Sequence, residues 1–258
     1  MRPLFALFLA GCGAASNPPA NEPSSGRVHV VEDPVALAVN APDRTDADRA
    51  LDAGRKPLET LQFFGVQPGW RVLDVFAGGG YTTELLARVV GPEGRVFAQN
   101  NTFVLDRFAR GPQAERLARL NMPQIVPVEL EMDAPAPANE APLDAVMFVL
   151  AYHDTVWQET DRAAMNRAIF AALRPGGIYG IVDHAAAAGH GVEDAQTFHR
   201  IEEQTVIDEV VAAGFVLEAQ GDFLRNADDT HDWNDSPSAA GARRGMSDRF
   251  VLRFRRPE

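Results

Sequence analysis

A doubly wound α/β fold is what the sequence predicts, and three observations carry the prediction. The apolar run Arg71-Val72-Leu73-Asp74-Val75 breaks into Phe76-Ala77-Gly78-Gly79-Gly80 and opens directly into a helical stretch from Tyr81. Strand-like segments at 95–99, 125–130, 143–150 and 177–183 alternate with helical ones near 81–90, 103–120 and 160–173, the rhythm of parallel strands joined by crossover helices. Leu173-Arg174-Pro175-Gly176-Gly177 sets a helix stop immediately before an apolar strand.

Residues 46–64 read as a helix, but Pro57 lies inside the periodic run and removes a backbone donor, so the helix breaks in two. Leu58, Leu61 and Phe64 recur at helical spacing and form a core face, while Arg49, Arg55 and Lys56 are placed to close over a carboxylate. The glycine cluster at the carboxyl end of the first strand is a small-molecule site: its backbone lets a ligand approach, and the adjoining helix start offers free N–H groups to an anion. Thr82 and Thr83 read as caps of that helix. A helix near 196–213 leads to two late strands at 215–218 and 249–254. Between these strands lies the run Asp228-Asp229-Thr230-His231-Asp232-Trp233-Asn234-Asp235, read as a solvated acidic loop in preference to a metal loop.

Composition narrows the function. At 258 residues and 46% hydrophobic, the chain suits one large domain with a buried sheet. The net charge of -12 and the lack of a long basic run argue against nucleic acid, whose affinity rests on neutralised phosphates. At the amino terminus, Arg2, the apolar stretch 4–9 and Leu9-Ala10-Gly11-Cys12 resemble a bacterial lipobox, which implies lipidation of Cys12, the only cysteine. The expected layout is a signal and lipobox at 1–12, a flexible tether at 13–45 and one domain at 46–258. That layout implies a protein lipid-anchored in the bacterial envelope, facing the periplasm and touching the membrane only through Cys12. The alternative is a cytoplasmic protein.

The order strand, D-x-F-A-G-G-G, helix resembles the first motif of the class I S-adenosylmethionine-dependent methyltransferases. The L-x-P-G-G turn at 173–177 matches the one before their fifth strand. The resemblance runs over about residues 46–256 and implies a Rossmann-like, seven-stranded, mostly parallel sheet with an antiparallel last strand. It implies S-adenosylmethionine as cofactor, cradled by Asp74, Ala77, Gly78 and Gly80, and a small-molecule or lipid-like acceptor. Where the class has a carboxylate for both ribose hydroxyls, at the end of the second strand, this chain has Gln99-Asn100-Asn101. Asn100 offers there a neutral amide that accepts a single bond. Asp133 takes the adenine amino group in the same comparison, with Met132 against the ring.

Chemistry is expected at the carboxyl ends of strands four and five, where an open α/β sheet places its ligands. Tyr152-His153-Asp154 comes after one and Asp183-His184 after the other. His153 reads as the base for an acceptor hydroxyl or amine, with Asp154 orienting it, and His184 with His199 as the acceptor wall. Two competing readings stand beside the methyltransferase. One is a non-catalytic envelope binding protein on a retained fold, since export separates the chain from the cytoplasmic cofactor. The other is a metal-dependent enzyme that uses the same histidines and carboxylates.

Overall fold

The computed structural model describes residues 1, 33–138, 140 and 142–258. Cys12 and the lipobox lie outside these residues. Glu32 to Glu258 make up one compact unit, to which the sheet, its helices and the cavity all belong.

Seven strands form one sheet in the order β3-β2-β1-β4-β5-β7-β6. They are β1 (Arg71–Val75), β2 (Arg95–Asn100), β3 (Ile125–Glu129), β4 (Leu143–Val149), β5 (Leu173–His184), β6 (Val216–Gly221) and β7 (Arg249–Arg255). Neighbours from β3 through β5 run parallel, and β7 runs antiparallel to both β5 and β6. This is the expected architecture. The strand order reverses beside β1, so β1 and β4 open a crevice at their carboxyl ends.

The central strands are buried on both faces, which is why they read as continuous apolar runs. Leu73, Val75, Phe148, Tyr179 and Ile181 join one core with Ile169 and Phe215. Val72, Ala145, Met147 and Val182 join the other with Phe64 and Leu86.

The helices that matter for the site are α1 (Pro34–Val39), α2 (Asp46–Arg55), α3 (Pro57–Phe64) and α4 (Tyr81–Val90). Beyond β2 come α5 (Thr102–Val104), a π-helical turn at Leu105–Ala109 and α6 (Arg110–Leu120). The carboxyl-terminal half adds α7 (Asp154–Trp157), α8 (Arg162–Ala172) and α9 (Glu203–Ala212).

Pro57 divides α2 from α3 as expected, with Lys56 in the left-handed region between them at φ 41°. Leu61 and Phe64 are buried, and Leu58 packs against the same core. The approach of α3 to the sheet is close: a Cβ at Gly180 would stand 2.8 Å from the Phe64 ring.

Two boundaries differ from expectation. Residues 33–45, read as part of a tether, are folded, because Asp33 caps α1 and the buried Val35 and Ala38 join the core that also contains Leu86, while residues 13–32 of that reading lie outside the described residues. A six-residue helix without a long apolar period leaves little trace in sequence. The helix read at 196–213 begins only at Glu203, and residues 185–202 form an irregular segment carrying His199.

Candidate active site

A cavity of about 1150 Å³ opens at the carboxyl ends of β1, β4 and β5. Its floor is the glycine turn, where Ala77, Gly78 and Gly79 line the space with Asp74 and Thr82. Gly78 has φ 56°, and a Cβ added there would find no atom nearer than 4.0 Å, so the backbone faces open space that a side chain would fill. Gly80, expected among the cofactor contacts, does not line the cavity. It begins α4 at φ 87°, and its missing Cβ makes room for the Arg116 side chain, which would stand 3.0 Å away.

Arg116 fastens the turn to the helix above it. Its Nε donates to the Gly79 carbonyl at 2.6 Å, and its guanidinium pairs with Asp48 of α2 and Glu84 of α4. Tyr81 donates to Asp52 at 2.6 Å, and the Arg55 guanidinium stacks on the Tyr81 ring at 4.5 Å. Helix α2 thus roofs the turn and brings Arg55 into the cavity wall. Burial lowers the pKa of Arg55 from the ordinary guanidinium value, with Arg244 acting in the same direction.

Asp74 ends β1 inside this wall. Thr83 donates its hydroxyl to Asp74 Oδ2 at 2.5 Å, so Thr83 serves the strand end rather than capping α4, whose first residues have no side-chain cap. Burial pushes the Asp74 pKa up to about 7, against the opposing pull of Thr83 and Arg55. A carboxyl with a raised folded-state pKa is stabilising in its protonated form and loses that stability as pH climbs from the unfolded value to the folded one. Asp74→Asn, which mimics the protonated group, is therefore expected to stabilise the protein by about 2–4 kcal/mol near pH 8, shrinking toward zero near pH 4. Urea unfolding of both proteins across that range checks the sign.

The end of β2 departs from its expected role. Asn100 is buried and spends its amide on the turn: Oδ1 accepts from the Gly78 N–H at 2.8 Å and Nδ2 donates to the Gly78 carbonyl at 3.2 Å. Gln99 similarly accepts from the Phe76 N–H at 3.1 Å. These two amides hold Phe76 in the left-handed region at φ 53° and shape the cradle from beneath. Asn100 is thus a support of the turn, and it does not line the cavity. Asp133 is exposed on the loop after β3 and does not line it either. Gln158, which sequence reasoning missed, does line it, and its Nε2 is buried with no partner among the described residues.

The opposite end of the cavity brings together the expected histidines and carboxylates. Asp183 is fully buried at the end of β5 and acts as the organiser. Its Oδ2 accepts from the His153 N–H at 2.7 Å, its Oδ1 from the His184 N–H at 2.8 Å, and Oδ1 also contacts His153 Nδ1 at 2.8 Å. His153 Nε2 then faces Asp154 Oδ1 at 3.2 Å and His199 Nδ1 at 3.2 Å. Burial opposes a charge on His153, but Asp183 and Asp154 outweigh it and raise the pKa to about 10. At neutral pH this ring keeps its proton, so the base role read from sequence does not fit it. The same pairing, with the Trp157 bond, holds Asp154 well below the usual carboxylate range despite its burial.

His184 turns away from this cluster. Its Nδ1 lies 2.8 Å from Ser247 Oγ and 2.5 Å from Asp235 Oδ2. Burial drives its pKa down to about 4, assisted by Arg249, although Asp235 pulls the other way. Asp235, Ser236, Pro237, Ser238 and Arg249 form a cavity wall, so the run read as a solvated acidic loop is built into the site. Its anchor is Arg200, fully buried, whose Nη1 donates to Asp229 Oδ2 at 2.7 Å while the guanidinium sits 4.8 Å from the Trp233 ring centre. Neither Arg200 nor Asp235 could be picked out by spacing, because their partners lie 29 and 51 positions away.

Comparison with known proteins agrees with the fold. The model of the protein-L-isoaspartate(D-aspartate) O-methyltransferase family matches residues 41–158, less than half of the chain. A curated protein-L-isoaspartate O-methyltransferase from Aeropyrum pernix is 50% identical over 50 residues, 19% of this chain and 19% of that protein. The matched stretch therefore spans about a fifth of the relative's length. Among solved structures, a SAM-dependent methyltransferase from Aquifex aeolicus superposes with a TM-score of 0.56 at 16% identity, covering 82% of this chain and 99% of that one. Aeropyrum pernix fibrillarin with natively bound S-adenosylmethionine superposes with a TM-score of 0.50 at 16% identity, covering 76% and 73%. The cyclase SpnF does so with 0.56 at 16% identity, covering 82% and 81%.

The residues present fit the cofactor of this class at its amino-acid end, where the open cradle at Gly78 and the cation of Arg55 face one space, and Gln158 offers a free donor farther along. The sheet order and the glycine turn give the chain the fold of the class I S-adenosylmethionine-dependent methyltransferases, and the family match covers β1 to β4 of that fold.

Proposed function

We propose that the protein methylates a small molecule held between the His153 cluster and the wall formed by residues 235–249, with S-adenosylmethionine seated over the glycine turn. One observation carries this reading: a single cavity runs from Ala77, Gly78 and Gly79 to His153, Asp154 and His199. When bound, the cofactor would supply a methyl group on a sulfonium sulfur for transfer to a lone pair of the acceptor. The protein's share is positioning. Gly78 and Gly79 give backbone access, Arg55 balances a carboxylate, and Asp183 fixes the rings that face the acceptor. Phe103, Phe108 and Trp157 add an apolar flank that suits an acceptor with a ring or chain.

A second reading, methylation of a protein carboxyl group, is favoured by the family match. That match stops at residue 158, before β5, β7 and the wall around the acceptor end, which is why the small molecule is preferred. Labelled S-adenosylmethionine with a panel of small hydroxyl, amine and carboxyl compounds, run beside an isoaspartyl peptide, separates the two. Transfer to the small molecules supports the first reading, and transfer to the peptide alone supports the second.

Lipidation at Cys12 and an envelope location belong to the same proposal, on the sequence pattern alone. Intact mass of the native protein is expected to show added acyl chains that Cys12→Ser removes. Recovery of unmodified, soluble protein with Met1 in place would contradict it.

A further inference from the structure

We infer that His153, Asp154 and His199 form a binding site for a divalent first-row transition ion, with coordination positions left open toward the acceptor. This rests on the proposed function for what the open positions hold, but not for the ion itself.

The three donor atoms converge. His153 Nε2, His199 Nδ1 and Asp154 Oδ1 stand 3.2, 3.2 and 3.4 Å apart, and these atoms lie within 4.8 Å of one another. Donors bound to one tetrahedral zinc at about 2.0–2.1 Å are separated by about 3.3 Å. The triangle has the size of a coordination face.

Each donor is held from behind. Asp183 Oδ1 engages His153 Nδ1 at 2.8 Å, which leaves Nε2 as the atom presented to the cluster. A carboxylate behind a ligating imidazole is the usual outer partner of a bound metal. Trp157 Nε1 donates to Asp154 Oδ1 at 2.8 Å and steadies that carboxylate. His199 is carried in the left-handed region at φ 55°, a conformation that costs a histidine energy and persists only where the surroundings impose it. Its place in the irregular segment, bonded through residues 198 and 201 to Asp235 and His184, brings the ring to His153.

All three residues line the cavity. His184 lies outside the group of converging donors, and its Nδ1 is engaged with Ser247 and Asp235. The set is then two imidazoles and one carboxylate with further coordination positions open, which suits zinc, iron(II) or manganese and not magnesium or calcium. The two carboxylates beside His153 favour a positive charge at this point, carried by the ring proton in the metal-free protein, and a bound ion would take the place of the Nε2 proton. In the proposed reaction the open positions would take an oxygen of the acceptor, which narrows the acceptor class to hydroxyl or carboxyl compounds.

The test uses the full chain, stripped with a chelator and then titrated with zinc chloride, cobalt chloride and magnesium chloride. One zinc per chain that survives desalting, visible d–d bands with cobalt and no saturable binding of magnesium are expected. His199→Ala should remove stoichiometric zinc, and Asp183→Asn should weaken it by about 10–100-fold. Circular dichroism and thermal unfolding verify that the variants fold, and His199→Ala decides the matter if Asp183→Asn does not. Absence of stoichiometric zinc in the wild type, or retention of it in folded His199→Ala, overturns the site. Titration of S-adenosylmethionine into the metal-free protein reports on the methyltransferase reading independently.

Discussion

Arg200→Met is expected to destabilise the protein by about 3–5 kcal/mol, the range for removing one partner of a buried ion pair. The guanidinium is fully buried and holds Asp229, the Ala185 carbonyl and the Trp233 carbonyl together. Its loss leaves the buried Asp229 carboxylate, which also accepts from the Asp248 and His231 amides, without a cation. Because this ion pair fastens the connection between β6 and β7, the same variant should loosen the cavity wall at Asp235 and Arg249. Urea unfolding measures the loss as a lower midpoint. Arg200→Met combined with Asp229→Leu should recover part of it, since the orphan charge is then gone. A change of less than about 1 kcal/mol in the single variant would show the pair to be dispensable.

Gly78→Val should weaken S-adenosylmethionine binding by more than about 100-fold while the sheet still folds. The position has φ 56° and open space where a Cβ would project. A β-branched residue there is strained by about 1–3 kcal/mol and also occupies ligand volume. The strain is read as a modest drop in melting temperature and the occlusion as lost binding heat. Affinity within a few-fold of the wild type would move the cofactor away from the turn.

How much of the structure was legible in the sequence depends on how local each cause is. The strand and glycine turn at 71–80 and the break at Pro57 were legible, because periodicity, a missing backbone donor and a turn are properties of neighbouring residues, whereas the antiparallel direction of β7 followed only from the family resemblance. The pairing of His153, Asp154, Asp183 and His199 was legible in part, through the rule that chemistry gathers at strand ends. The direction of each side chain was not. His184 turned to Asp235 and Ser247 because a segment about 50–60 residues later packs over it. Asn100 turned to Gly78 because the left-handed turn above it leaves a backbone N–H and carbonyl needing partners. Gly80 is glycine for the sake of Arg116, a reason that becomes visible only when α6 is in place.

Calorimetric titration of S-adenosylmethionine into the purified full chain tests the central claim most directly, since the glycine turn, the Arg55 side of the cavity and the fold all point to one cofactor site. The predicted result is saturable binding of one molecule per chain with a dissociation constant of roughly micromolar order, lost in Gly78→Val. No saturable heat up to about millimolar cofactor, with the wild-type protein folded, would contradict it.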